Sequence, residues 1–477
     1  MSRAKRVTGE NIIARRSFLK GVGLSGAALA LESTSHAKAP CSKKRPPNFV
    51  FILTDDQTRR AIGYTTPVVQ TPNLDRLARD GMIFDNAYVA TPICAASRAS
   101  MLTGLCPQQH ESVALDGSGF LRNVVHAKRF QTIAHRLADA GYTTAFCGKS
   151  HLGDPKAYGF QQGEEMNDRT DNPTFAFAAR FLAQQQADAA PFLLWVAPHQ
   201  PHVPLLPEQQ WLDLYKDADL RVAPNFRESP PPGSLYNQGV PGEMYYRDST
   251  FTKNYHDLPA GPPRNKETIL DLTRAYYAAI SRLDGQVGEL VAQLKATGHY
   301  ENTVIIYLSD NGYFLGNHGL GNKITMHEES VGVPMFIHWS GLAKTHCRSA
   351  ELVSSLDLYP TILDLAGVPK PGYLPGVSLA RMLKYGTKRP LRPYVTSECV
   401  GVGGKTGMGH RMVRTRRWKY ILTDTNEEVL FDELKDPFEL DNVAAKKENR
   451  PELSRMRWRL HEWMTKVGDN RRLPHRA

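Results

Sequence analysis

The run Asn48-Phe49-Val50-Phe51-Ile52-Leu53-Thr54-Asp55-Asp56-Gln57 decides how this chain folds. Its core is a short, continuous apolar stretch without alternation, the pattern of a strand buried on both faces. It stops at two adjacent carboxylates. Two such groups at a buried strand end repel each other and lose hydration, a cost that a bound cation relieves. Oxygen donors of this kind suit Ca²⁺ or Mg²⁺ better than zinc, which prefers nitrogen and sulfur.

The same grammar recurs downstream. A predicted strand at Tyr142–Phe146 runs into Gly148-Lys149-Ser150-His151-Leu152-Gly153. Another at Pro191–Val196 runs into Ala197-Pro198-His199-Gln200-Pro201-His202, and one at Thr303–Leu308 into Ser309-Asp310-Asn311-Gly312. A further strand is expected at Pro334–Trp339, with helices at Pro72–Gly81, Phe130–Gly141, Leu270–Thr297 and Ser355–Leu365. Strands alternating with helices predict an α/β fold: a large mixed, mostly parallel sheet flanked by helices. Ligands in open α/β sheets bind beyond the carboxyl ends of the strands, so the four polar clusters are expected on one rim.

An extended piece, Met82–Val89, leads to Cys94-Ala95-Ala96-Ser97-Arg98-Ala99-Ser100-Met101-Leu102-Thr103-Gly104. This segment reads as a loop entering a helix, so backbone N–H groups and the positive helix end would point at Cys94. Residues 222–265, rich in Pro, Gly, Tyr and charge, are expected to form part of the rim. Beyond about residue 385 the pattern changes. Met412–Arg416, Trp418–Thr423 and Val429–Asp432 predict antiparallel strands, and Pro451–Lys466 a terminal amphipathic helix. The expected organisation is a leader over 1–39, a main domain over 45–385, and a small C-terminal α+β subdomain over 386–477.

The chain has 477 residues, 41% apolar and 22% charged. No apolar run reaches the length that spans a bilayer. The net charge is +11, but residues 1–39 hold seven Lys/Arg against two Glu. The excess left over the remaining chain suits an anionic substrate and does not call for nucleic acid. Ala14-Arg15-Arg16-Ser17-Phe18-Leu19-Lys20, the apolar stretch from Gly21 to Leu31, and small residues near Ala37 and Ala39 form a twin-arginine export pattern. It predicts a periplasmic or secreted protein that uses the twin-arginine machinery. The six cysteines make no dense disulfide pattern and no Cys-x-x-Cys pair.

Taken together, the motifs resemble those of the type I sulfatases in the alkaline-phosphatase-like superfamily. They are Ile52 to Gln57, Thr71-Pro72-Asn73-Leu74-Asp75-Arg76-Leu77-Ala78, Cys94 to Gly104, Gly148 to Gly153, Pro201-His202-Val203-Pro204, and Ser309 to Gly312 through Lys323. Thr415-Arg416-Arg417-Trp418-Lys419-Tyr420 and Asp436-Pro437-Phe438-Glu439-Leu440 extend the likeness to the C-terminal part. His199 to Pro204 resembles the iduronate-2-sulfatase branch.

The resemblance implies that Cys94 becomes formylglycine through a formylglycine-generating enzyme. One hydroxyl of its hydrate would attack sulfur and the other would expel sulfate. Metal ligands would be Asp55, Asp56, Asp310, Asn311 and the modified Cys94, holding Ca²⁺ or Mg²⁺. Arg98 would hold the hydrate. Lys149 and Lys323 would clamp sulfate oxygens. His151 would take the proton of the second hydroxyl. His202, with Lys323, would protonate the leaving oxygen. His199 is a candidate substrate contact or a support for the loop, and His318 is a candidate of either kind. His110 and His135 read as ordinary loop and helix residues.

Two departures stand out. Ala96 replaces the usual Pro two residues after the cysteine, which bears on conversion of Cys94. Ser150 replaces a frequent Trp, which is expected to open the pocket. The implied activity is hydrolysis of a sulfate ester on a small molecule or polysaccharide, with a carbohydrate as its expected carrier. The competing readings are a phosphomonoester or phosphonate-ester hydrolase of the same superfamily, and a non-catalytic binder of sulfated polysaccharide.

Overall fold

The computed structural model describes residues 45–112, 130–186, 189–205, 207–231, 265–340, 342, 347–386, 390–399 and 409–469. The expected leader over 1–39 and most of the 222–265 stretch lie outside these residues.

Strand β1, Asn48–Thr54, is buried at every position. Its side chains alternate between two cores. Phe49, Phe51 and Leu53 join one, and Val50 and Ile52 join the other. That double burial is why the run is apolar throughout. Phe51 stacks on Trp195 with ring centroids 3.8 Å apart. Each large side chain taken from water in this way stabilises the fold by roughly 2 kcal/mol.

The strands that follow are β2 (Met82–Tyr88), β3 (Thr143–Gly148), β4 (Gln162–Glu165), β5 (Phe192–Ala197) and β6 (Thr303–Ser309). Next come the short β7 (Phe314–Leu315) and β8 (Gly321–Asn322), then β9 (Met335–His338) and β10 (Cys347–Ser354). Eight of them form one sheet in the order β10-β2-β9-β6-β1-β5-β3-β4. Strand β9 runs antiparallel to both of its neighbours, and the other pairings are parallel. This is the mixed, mostly parallel sheet that the sequence predicts. Helix α1 (Pro72–Arg79) and the helices Asn172–Gln184 and Lys266–Ala296 cover one face. Helix α2 (Cys94–Thr103) and the helices Ile133–Asp139 and Leu358–Ala366 cover the other.

Strands β11 (Val395–Cys399), β12 (His410–Arg414), β13 (Trp418–Thr423) and β14 (Glu428–Asp432) form a separate antiparallel sheet in chain order. The helix Arg450–Val467 lays Leu453, Met456, Leu460 and Trp463 against Val413, Tyr420, Leu422 and Leu430 of that sheet. Buried ions tie this sheet to the short helix Glu328–Val331 of the main domain. Lys419, fully buried, lies 2.6 Å from Glu328 and 2.7 Å from Glu439. Residues 46–477 form one compact unit. Among the described residues no helix is long and apolar enough to cross a membrane.

Candidate active site

Strand register assembles the site. Strands β1 and β6 pair from Asn48↔Thr303 to Thr54↔Ser309, so Asp55-Asp56 and Asp310-Asn311 leave adjacent strands at one height. Strands β3 and β5 end together at Gly148↔Ala197, which brings Lys149 beside the 198–202 loop. Helix α2 enters from one face with Cys94 as its first residue.

All ten residues of α2 are buried, and its start has no side-chain cap. Its small side chains allow the helix to pass through the core, and its first-turn N–H groups, which have no partner within the helix, lie at the Cys94 end. The Cys94 thiol donates toward Asp55 Oδ1 at 3.3 Å, and Asp56 Oδ1 lies 3.9 Å away. Lys323 Nζ donates to Cys94 Sγ at 2.8 Å. Burial, then the carboxylates of Asp310 and Asp55, push the thiol well above its ordinary pKa, against the opposing pull of Lys149 and Lys323. The side chain at position 94 is thus a neutral thiol, a poor nucleophile.

Three carboxylates face three cations here. Arg98 Nε donates to Asp310 Oδ2 at 2.8 Å, and Arg98 Nη1 donates to the Lys149 carbonyl at 2.6 Å. Arg98 therefore anchors the loop that carries Lys149 as well as neutralising Asp310. Lys149 pairs with Asp55, and Lys323 with Asp56. Burial alone would raise Asp55, but Lys149, His202, Arg98 and Lys323 outweigh it and hold this carboxyl well below its usual range. Burial and the nearby Asp55 charge push Asp310 up to about 6.

The carboxylate and amide oxygens gathered here fit a hard divalent cation. Ligand atoms of Asp55, Asp56, Cys94 and His202 lie within 4.8 Å of one another. Asn311 Nδ2 donates to Asp56 Oδ1 at 2.6 Å, while its Oδ1 is buried without a hydrogen-bond partner. A bound cation would satisfy this buried amide oxygen. Asp56 is in the left-handed region at φ 63, a conformation that costs a non-glycine residue. Surrounding bonds hold it there. The Tyr276 hydroxyl donates to the Asp56 carbonyl and accepts from Thr58 N at 3.0 Å. Gln57 N donates to Ser309 Oγ at 2.8 Å.

His202 reaches the cluster from the rim. Its Nε2 is 3.6 Å from Asp56 Oδ2, and its side chain is 23% exposed. Burial and Lys149 push it down to about 4, with Asp56 opposing. His151 stands at φ 59, its N–H donating to Glu165 Oε1 at 2.9 Å and its Nδ1 buried without a partner. Burial and Lys149 push it down to about 3, which favours a neutral ring. His199 is buried against Asp171, with Nδ1 at 3.3 Å and backbone N–H at 2.8 Å from Oδ1. That contact ties His199 to the loop's support, one of the two roles open to it from the sequence. Ser150 Oγ bonds the Tyr158 hydroxyl and donates to the Gly153 carbonyl at 2.7 Å, bracing the loop.

The other histidines lie elsewhere. His318 is buried against Asn225 Nδ2 at 2.9 Å, with its ring 4.4 Å from that of His327. His135 belongs to the capping box of its own helix with Thr132. His110, read as an ordinary loop residue, is fully buried and meets Ser100 Oγ of α2 at 2.9 Å, so it buttresses the helix that begins at Cys94. Of the expected 222–265 rim, the described part joins the 314–322 segment: Arg227 N donates to the Gly316 carbonyl at 3.2 Å. Three supporting residues had no clear signal in the sequence: Asp171, Glu165 and Tyr276. Each acts through backbone atoms, and no motif marks such a partner.

Carboxylate-bearing strand ends around a buried helix terminus, on this sheet topology, define a hydrolase of alkaline-phosphatase-like architecture. The chain belongs to the sulfatase family, and so to the sulfuric ester hydrolases: it matches the Sulfatase profile over residues 47–368. It also matches that of the N-sulphoglucosamine sulphohydrolase C-terminal region over 316–466. It is 27% identical to an N-acetylglucosamine-6-O-sulfatase of Bacteroides thetaiotaomicron, across 93% of this chain and 90% of that protein. It is 26% identical to iduronate 2-sulfatase of Mus musculus, across 74% of each. A structure solved with its substrate D-glucosamine-2-N,6-O-disulfate has the same fold, with a TM-score of 0.76, 24% identity, and coverage of 89% of this chain and 99% of that one.

Proposed function

We propose that this chain is an exported sulfatase that hydrolyses sulfate esters of carbohydrates. It would use a formylglycine made from Cys94 and a divalent cation, Ca²⁺ or Mg²⁺, held by Asp55, Asp56, Asp310 and Asn311. The observation that carries this reading is the placement of Cys94. It sits at a helix start among carboxylates and lysines, where the thiol itself is held neutral. The modified residue would supply a pair of hydroxyls on one carbon, and the cation would stabilise negative charge on oxygen. The named relatives act on sulfated sugars, which supports a carbohydrate substrate.

The chain's own residues supply the rest. Arg98 holds Asp310 and the Lys149 loop in place. Lys149 and Lys323 donate to sulfate oxygens, where charge builds during displacement. His151, neutral, takes a proton from the residue at position 94. His202 gives a proton to the leaving oxygen. Between the two lysines, an anionic sulfate offsets the positive field that lowers His202 and so favours its protonated form. His199 acts through Asp171 by holding the loop that bears His202. Arg15-Arg16 direct export to the periplasm or beyond. Ala96 leaves the segment readable by the formylglycine-generating enzyme.

The test is sulfate release. Protein produced with a formylglycine-generating enzyme should liberate inorganic sulfate from sulfated monosaccharides or an aryl sulfate, and Cys94→Ala should not. Hydrolysis of phosphate or phosphonate esters at a higher kcat/KM than that of sulfate esters would overturn the proposal. So would binding of sulfated polysaccharide without turnover.

A further inference from the structure

A turn beside the proposed proton donor presents a cation that the mechanism does not use. Arg169 Nη1 lies 3.5 Å from His202 Nδ1, while Nε2 of the same ring faces Asp56. Arg169 therefore stands at the ring nitrogen of His202 that points away from Asp56 and that also contacts the Val203 carbonyl. It is half-buried, and among the described residues no carboxylate lies within ion-pair distance of it. The neighbouring carboxylates are engaged elsewhere. Asp168 accepts from Thr170 N at 2.7 Å, and Asp171 accepts from His199 N at 2.8 Å and Gln200 N at 3.0 Å.

The turn is also rigid. The Thr170 carbonyl accepts from Gln200 Nε2 at 3.2 Å and from Gln286 Nε2 at 3.0 Å. Asp171 is held in the left-handed region at φ 57 and accepts three contacts from residues 199 and 200. A cation without a counter-charge among the described residues, on a backbone braced from two other segments, is preorganised for an anion that arrives with a ligand. Its planar fork suits carboxylate and sulfate oxygens alike.

We propose that Arg169 is a specificity-determining residue that selects sulfate esters whose alcohol carries a second anionic group, a carboxylate or another sulfate. The proposal rests on the sulfatase reading and deepens it. The substrate class it implies is an acidic or multiply sulfated sugar. The scissile sulfate sits with Lys149 and Lys323, and the second anion pairs with Arg169 across His202.

The experiment compares kcat/KM for matched ester pairs on the formylglycine-bearing enzyme. The pairs are phenyl sulfate with 3-carboxyphenyl sulfate and with resorcinol disulfate, and N-acetylglucosamine 6-sulfate with N-sulfoglucosamine 6-sulfate. The wild type should prefer the doubly charged member, and Arg169→Ala should lower that ratio roughly tenfold, as loss of one charge-assisted contact does. Arg169→Lys should keep part of the preference and Arg169→Glu should reverse it. The carboxylate and disulfate arms show which anion is favoured. A wild type without preference overturns the proposal. So does a ratio that Arg169→Ala leaves unchanged, including the case in which all esters slow equally because Arg169 acts only through His202. Absence of sulfate release from every ester instead defeats the underlying sulfatase reading.

Discussion

Lys323 bridges the two halves of the site: its ammonium pairs with Asp56 and donates to Cys94 Sγ at 2.8 Å. Its neighbours Asn322 and Ile324 stand at φ 64 and φ 91, so the backbone is committed to presenting this side chain. Lys323→Ala should lower kcat by about 10²–10³-fold, the range for losing a preorganised donor to a developing charge. Lys323→Arg should retain more. Steady-state kinetics beside a thermal melt checks this, and a native melt with near-wild-type kcat in Lys323→Ala would exclude the assigned role.

The open Asn311 Oδ1 makes a cation prediction. Millimolar Ca²⁺ or Mg²⁺ should raise the melting temperature of chelator-treated protein. At a hundredfold excess over Kd the gain is about 2.7 kcal/mol. Asn311→Ala should shrink the increment, and Asp310→Asn should do so too. Equal increments in wild type and both variants would place the cation elsewhere.

Tyr276 gives a prediction from the supporting layer. Tyr276→Phe removes the donor to the Asp56 carbonyl and leaves Thr58 N without its acceptor. An unsatisfied buried group costs about 1–3 kcal/mol. Denaturant unfolding should show that loss, and the cation-dependent increment should weaken as Asp56 loosens. A variant as stable as wild type would show that the turn holds Asp56 without Tyr276.

His110 sets a pH dependence. Burial pushes it down to about 3 from 6.5. The folded protein then binds fewer protons than the unfolded chain between those values, so stability rises with pH through this window and falls on acidification. Moving from pH 7 to pH 5 should cost about 2 kcal/mol from this group alone. His110→Asn should flatten that slope in urea unfolding. An unchanged slope would assign acid sensitivity to other groups.

Much of the site was legible because chemistry sits where apolar strands stop. Asp55-Asp56, Lys149, His202 and Asp310-Asn311 each follow a buried run, and parallel register brings such ends together. What escaped were elements without an apolar signature. Strand β4 is Gln-Gly-Glu-Glu on a sheet edge, and β10 begins half-exposed before it turns buried. Their pairing comes from the neighbouring strand rather than from their own periodicity. The burial of His110 was not legible because it comes from packing on Ser100 of α2 and not from any periodicity of its own segment. Asp171 and Tyr276 hold functional residues by backbone bonds, and Arg169 acquires meaning only from its distance to His202.

The central claim is that Cys94 is the precursor of the nucleophile. Mass spectrometry of the peptide containing Cys94, taken from protein of measured specific activity, tests it most directly. An aldehyde in place of the thiol is predicted, with its fraction across preparations tracking sulfate release. Full activity from protein whose position 94 is entirely an unmodified thiol would contradict the account.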